Sequence, residues 1–111
     1  MKRKYQTEFS QKARQAIRNR DKGCIFCQMG YKTSDESFGD LQIMHYIGRG
    51  RGGLGIPENG ALGCAYHHQM MDNGLYGPEM REMFKEYLME QYKGWNEGDL
   101  VYDKWAFLKS A

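Results

Sequence analysis

Two short clusters of thiol and imidazole side chains, Cys24-Ile-Phe-Cys27 and Cys64-Ala-Tyr-His67, constrain this chain more than any apolar run does. A C-x2-C followed far downstream by a C-x2-H is a four-ligand set of the soft and borderline donors that zinc prefers in a closed tetrahedral site. The second cluster lies in the stretch Ile43 to Gly74, which holds all three histidines together with Gly48, Gly50, Gly52, Gly53, Gly55, Gly60, Gly63 and Gly74. Glycines at that density build turns that aim side chains and add little to an apolar core. A chain of 111 residues with such a segment buries a limited core, so an added staple is expected. The spacing assigns that role to a structural Zn2+ held by Cys24, Cys27, Cys64 and His67. Four protein ligands leave no open position for substrate, and metal binding then contributes directly to folding.

Three cysteines cannot all pair within one chain, which argues against a disulfide framework and for metal-bound thiolates in a reducing, intracellular setting. The length predicts one domain, and 41% hydrophobic with 27% charged residues fits a soluble globular chain. No apolar run is long enough to cross a bilayer. Met1-Lys2-Arg3-Lys4 is followed by polar Gln6-Thr7-Glu8, so it does not read as a secretory signal. The net charge of +2 is modest, but its distribution is uneven. Lys2, Arg3, Lys4, Lys12, Arg14, Arg18, Arg20 and Lys22 precede the first cysteine against Glu8 and Asp21, and Arg49 and Arg51 follow His45. Two readings stand for this basic surface: a phosphate-attracting patch, or a solvated helix face with a polar tail.

Taken in order, Ser10 to Arg20 reads as a helix with Ser10 as N-cap and Phe9, Ala13, Ala16 and Ile17 as its apolar stripe, ended by Asp21-Lys22-Gly23. Gln28 to Gly39 reads as a polar loop. Leu41 to Ile47 is the best strand, with Leu41, Ile43, His45 and Ile47 on one face and Gln42, Met44 and Tyr46 on the other. Gly48 to Gly55 is a glycine-rich loop, Pro57-Glu58-Asn59-Gly60 a turn, and Ala61-Leu62-Gly63 a second short strand running into Cys64. A helix from near Tyr66 to Asp72 stops at Asn73-Gly74. Beyond Gly77-Pro78, Glu79 to Tyr92 carries Met80, Met83, Phe84, Tyr87 and Leu88 at the spacing of one buried face. Leu100 to Leu108 adds Trp105 and Phe107 as packing anchors.

CIFC and CAYH, the strand and loop MHYIGRGRGG, the turn containing Asn59, and His68 directly after the last zinc ligand together resemble the HNH endonucleases, in particular the small zinc-stapled type of bacteriophage genomes. The resemblance covers roughly residues 10 to 74, with the later helix and Trp-containing tail also similar to the phage type. It implies an α+β chain with a ββα-metal (HNH, His-Me finger) core, a structural zinc site and flanking helices. The expected organisation is a basic N-terminal tail over 1–9, the zinc-stapled nuclease core over 10–78, and a C-terminal helix and Trp-containing tail over 79–111 packed on the same domain.

In that family the first His is the general base, so the resemblance makes His45 the acceptor of a proton from the attacking water, with Asn59 holding the loop and orienting it. It implies a metal-dependent DNA endonuclease or nickase that leaves a 5′-phosphate and a 3′-hydroxyl. His68 and Asp72, four apart on a helix, can face one ion and are the candidates for the catalytic divalent cation, Mg2+ or Mn2+. Asp72 also reads as a helix-end residue beside Asn73-Gly74, and His45 as a satisfied core histidine. Arg49, Arg51, Arg18 and Arg20 are the candidate phosphate contacts; Arg49 and Arg51 are equally readable as solvated loop charges. Many members place Asp or His just before the base, where this chain has Met44, a poor ligand for hard ions. Either His68, Asp72, phosphate and waters suffice, or Asp40 reaches in, or the site is weakened. The alternatives from other classes are a zinc-stapled DNA-binding module without cleavage and an accessory protein that meets phage DNA-packaging proteins. The resemblance places the protein in the cytoplasm of a bacterium or phage-infected cell, as a monomer or homodimer, with DNA as partner and no membrane.

Overall fold

The computed structural model describes residues 7–33 and 40–101. Ser10 begins the first helix as its side chain predicts: the hydroxyl accepts the Ala13 N–H at 3.1 Å, and α1 runs Gln11–Asp21. Lys22, in the left-handed region at φ 65°, closes it by donating its N–H to the Arg18 carbonyl. Phe9, Ala13 and Ile17 turn inward, but Ala16, expected in the same stripe, is exposed. The inner face is completed instead by Asp21 at the end of the helix, a charged residue that is only 3% exposed. One short turn of helix, α2 (Ile25–Gln28), follows with both Ile25 and Phe26 buried.

Two strands form the sheet. β1 (Leu41–His45) pairs antiparallel with β2 (Gly60–Cys64), placing Leu41 opposite Cys64 and His45 opposite Gly60. The strand is two residues shorter than the apolar run suggests, because beyond His45 the chain turns into the loop that Asn59 holds. The predicted alternation decides which layer each residue joins. Ile43 and Leu62 meet Phe9, Ala13 and Ile17 on one face. Met44 and Ala61 on the other join Phe26, Met71, Met80, Phe84 and Leu88. The sheet therefore lies between α1 and a pair of helices, α3 (Ala65–Asn73) and α4 (Gly77–Gln91). Met80, Phe84 and Leu88 of α4 are completely buried, each removal from water contributing about 1.5–3 kcal/mol. This is a small mixed α+β domain.

Two features tie the outer segments to the sheet. Thr7 and Phe9 are buried, so the chain from Thr7 onward is packed structure and not part of a free tail. Gly60 makes room for this: a Cβ there would lie 2.5 Å from Phe9 Cζ, so only a residue without a side chain lets the ring reach the strand pair. At the other end, Leu100 closes the 3-10 turn Glu97–Leu100, is 1% exposed, and accepts the Leu54 N–H at 2.7 Å. Val101 bridges to Gly53. Trp105 and Phe107, expected as packing anchors, lie outside the described residues.

Candidate functional site: a Cys3His metal centre beside a histidine-bearing strand end

Cys24 and Cys64 each occupy the N-cap of a helix, α2 and α3, and each accepts the backbone N–H three residues on, Cys27 and His67, at 3.4 Å. This explains both x2 spacings: one helical turn brings the second ligand beside the capping sulfur. β2 delivers Cys64 directly, and the two half-sites meet where α2 packs on that strand. The four ligand atoms lie within 4.8 Å of one another. Four of the six edges are close to those of a tetrahedral zinc site, whose bond lengths require about 3.8 Å between sulfurs and about 3.6 Å between sulfur and nitrogen. Cys27 and Cys64 sulfurs are 3.8 Å apart, and His67 Nδ1 is 3.6, 3.5 and 3.3 Å from Cys24, Cys27 and Cys64.

The surroundings fix the ligand form. His67 donates its Nε2–H to the Tyr31 carbonyl at 2.6 Å, which leaves the Nδ1 lone pair facing the sulfurs. Burial and the neighbouring thiols Cys24 and Cys64 push Cys27 up to about 12 without a metal, a crowding of negative charge that a bound dication relieves. Cys24, Cys64 and His67 are buried and Cys27 is half-buried, so most of the cluster lies within the packed interior. The residues present fit a structural zinc ion.

His45 stands at the end of β1, with its ring against Phe9 at a centroid distance of 4.4 Å. Its Nε2–H donates to the Thr7 carbonyl at 2.8 Å. Among the described residues its other nitrogen, Nδ1, has no hydrogen bond, so the ring is clamped on one side and its basic lone pair is left available. Burial lowers the pKa of His45; the Thr7 carbonyl opposes this, while the nearby Arg49, His68 and Arg14 side chains add to it. Thr7 and Phe9 were not marked by any sequence pattern as partners of this histidine, because the contact bridges two distant segments.

Asn59 is fully buried and every polar atom of its amide is used. Its Oδ1 accepts the Ile47 N–H at 2.8 Å, and its Nδ2 donates to the Ile47 and Leu54 carbonyls at 3.1 and 2.8 Å. The expected bond from Asn59 to His45 is not made. Asn59 acts on the backbone instead: it fastens both sides of the glycine-rich loop immediately after His45, and its own carbonyl accepts the Tyr46 N–H.

His68 and Asp72 face each other across one turn of α3, Nε2 to Oδ2 at 3.2 Å, and both are partly exposed. The side-chain amide oxygen of Gln42, Oε1, lies 2.6 Å from His68 Nδ1, so Nδ1 carries the proton and donates it. Nε2 then presents a lone pair to a carboxylate oxygen, an arrangement that a proton or a shared cation reconciles. Two neighbouring ligands in an octahedral divalent site are about 3.0 Å apart, close to the separation here. Asp72 is therefore more than a helix-end residue: its other oxygen, Oδ1, accepts from Arg81 Nη2 at 3.3 Å. Gln42 and Arg81 carry no motif signal, being single polar residues on a strand face and a helix flank.

The remaining expectations separate. Met44 does not approach the candidate site: it is completely buried, and a Cβ at Gly63 would lie 2.3 Å from its sulfur. Asp40 is at the opposite end of β1, five residues from His45 and about 16 Å away at strand rise, with its carbonyl accepting the Ala65 N–H. Arg20 is not a surface cation. Its side chain is 12% exposed and is bound by the Asp21 carboxylate, the Pro57 and Gly60 carbonyls and the Tyr92 hydroxyl. Arg18 and Arg51 are exposed, and Arg49 is exposed and pairs with Glu8 at 3.2 Å. Among the described residues no helix is long and apolar enough to cross a membrane. No protein-family model matches the chain, and neither a search of curated proteins nor one of solved structures finds a match.

Proposed function

We propose that this chain is a metal-dependent DNA endonuclease or nickase of the HNH type, in which a zinc-stapled strand pair and the following α3 form a ββα-metal core. The observation that supports it best is His45: one ring nitrogen is committed to the Thr7 carbonyl, the other has no hydrogen bond among the described residues, and burial favours the neutral ring. A neutral imidazole held in that way is a general base at neutral pH. His45 Nδ1 takes a proton from water as the water oxygen bonds to phosphorus; the bond to the 3′ oxygen breaks, the leaving alkoxide takes a proton from solvent, and a 5′-phosphate and a 3′-hydroxyl result, His45 returning its proton to solvent.

Asn59 fastens the loop after His45, and the exposed Arg51 and Arg18 would meet backbone phosphates, joined by Arg49 if it exchanges Glu8 for one; such contacts position a duplex without reading its sequence. His68 and Asp72 would hold the divalent cation, Mg2+ or Mn2+, whose chemistry is to neutralise charge on the phosphate and the leaving oxygen. A cation with two protein ligands leaves its other positions to water and phosphate, the usual manner of Mg2+ sites at phosphates. DNA is the partner, in a bacterial or phage-infected cell.

A second reading, a zinc-stapled DNA-binding module without cleavage, is favoured by Met44, which contributes to the core and supplies no ligand. A Met44→Asp substitution would bury a carboxylate there and probe stability instead of ligation. The separating experiment is relaxation of supercoiled plasmid by zinc-loaded protein with Mg2+, Mn2+ or chelator, beside a folded His45→Ala variant. Metal-dependent nicking that the variant loses supports the nuclease. Equal inactivity of both on duplex, single-stranded and branched DNA, with binding retained, establishes the module.

A further inference from the structure

Arg81 lies on α4, outside every segment that the sequence marks as part of the site, yet it is the residue that joins the site's two halves. Its Nη1 donates to the Tyr46 carbonyl at 2.7 Å, on the residue directly after His45. Its Nη2 donates to Asp72 Oδ1 at 3.3 Å. The other carboxylate oxygen, Oδ2, is the one that faces His68. The guanidinium is thus a fork with one prong on the backbone of the strand end and one on the carboxylate oxygen turned away from the imidazole. A planar fork of this kind fixes direction as well as distance, which a flexible ammonium does not.

We propose that Arg81 is a positioning residue for the divalent cation: it holds Asp72 so that Oδ2 and His68 Nε2 stay directed at one point, and it sets that point relative to His45 through the Tyr46 carbonyl. This rests on the cation site proposed above for His68 and Asp72. It also carries a sign that simple electrostatics does not. Arg81 is a positive charge beside a cation site, so its removal by charge alone would tighten cation binding. Loss of a hydrogen bond that orients a metal-binding side chain instead weakens affinity, about 10–100-fold in known sites.

The test is Mn2+ titration of the zinc-loaded, full-length protein without DNA, read by the electron paramagnetic resonance signal of free Mn2+. Arg81→Gln is expected to weaken Mn2+ binding about tenfold or more. Arg81→Lys, which keeps the charge but cannot make both bonds at once, is expected to weaken it too. Zinc content and the urea midpoint of each variant, compared with wild type, show that the fold is kept; a folded Arg81→Lys suffices if Arg81→Gln does not fold. Unchanged or tighter Mn2+ binding in the folded variants overturns the positioning role. Asp72→Asn separates the two levels. If it abolishes Mn2+ binding while the Arg81 variants bind as wild type does, the cation site stands and the Arg81 role fails. If wild type binds no Mn2+, or Asp72→Asn binds it equally, the cation site itself is wrong and the Arg81 role falls with it.

Discussion

Arg20 and Asp21 are neighbours in sequence and partners in space, and breaking them is the sharpest test of how this domain is held. The guanidinium makes a two-pronged contact with the carboxylate, Nε to Oδ1 at 2.6 Å and Nη2 to Oδ2 at 3.0 Å. The carboxylate also accepts the Leu62 N–H at 2.8 Å and the Tyr87 hydroxyl, while the guanidinium reaches the Gly60 carbonyl at 2.6 Å. Gly60 and Leu62 present these groups on the edge of β2 away from β1, so the pair closes a sheet edge that would otherwise be buried without partners. Tyr87 and Tyr92 of the C-terminal half flank the guanidinium at 5.4 and 5.6 Å. Burial works against the Arg20 charge, but Asp21 and Tyr92 hold its pKa above the ordinary guanidinium value.

Removing one member leaves a buried charge without its counter-ion, a loss of about 3–5 kcal/mol. That is a large share of the roughly 5–15 kcal/mol that stabilises a domain. Arg20→Ala is expected to cost more than Asp21→Asn. The Asp21 side chain has no exposure and keeps only Leu62 and Tyr87 as donors, whereas Arg20 would keep the Pro57, Gly60 and Tyr92 acceptors. The double variant should recover at least about 1 kcal/mol relative to the sum, since both single changes break the same contact. Urea unfolding of zinc-loaded protein measures all three, and Arg20→Ala should lower Tm by at least about 12 °C. The reasoning is refuted if Arg20→Ala costs less than about 1 kcal/mol and instead weakens DNA binding with a shallower salt dependence, the behaviour of a surface phosphate contact.

Three further outcomes follow from the same geometry. Removing zinc with a chelator, or replacing Cys64 with Ser, should abolish cooperative unfolding measured by circular dichroism, because structural zinc contributes on the order of 10 kcal/mol to such folds. His45 has a folded pKa depressed below its unfolded value near 6.5, so its contribution to stability is present above that pH and is lost as pH falls through the folded value. Nicking should accordingly be flat above about pH 6.5 and decline below it, and a rate that keeps rising tenfold per unit through pH 8 would exclude this histidine as the base. Asn59→Ala strands the Ile47 N–H and the Ile47 and Leu54 carbonyls, a loss of about 2–4 kcal/mol by urea unfolding, with amide exchange accelerated in residues 47–54 before the rest of the domain.

The local features were legible because they depend on near neighbours. Ser10 caps α1 through its own hydroxyl, the x2 spacings of CIFC and CAYH are each one helical turn from a capping sulfur, and strand alternation assigns Ile43 and Met44 to opposite layers. Periodicity likewise finds Met80, Phe84 and Leu88, since a helix repeats its buried face every three or four residues whatever lies opposite. The Cys3His cluster was legible because its two half-sites carry a donor set and a spacing that fit one metal ion, and the fold brings their four ligand atoms together.

What the chain order does not carry is which polar residue meets which across the fold. A run of arginines reads as one basic surface, yet Arg18 ends outside and Arg20, two residues later, turns inward to the edge of β2. The difference is about 200° of helix rotation combined with the presence of Asp21 and of two tyrosines some 70 residues away, Tyr87 on α4 and Tyr92 just past its end. Thr7 was grouped with a charged tail, but its carbonyl orients His45 because Gly60 lets Phe9 close over the strand pair. Gln42 meets His68 only once α3 packs on β1, and Arg81 meets Asp72 only after α4 folds back along α3. Sequence by itself determined the Cys3His cluster, the elements and their buried faces, because these follow from covalent spacing and backbone period. Tertiary structure alone decided the partners of His45, Asp72 and Arg20, because a hydrogen bond between distant segments leaves no periodic trace in either of them.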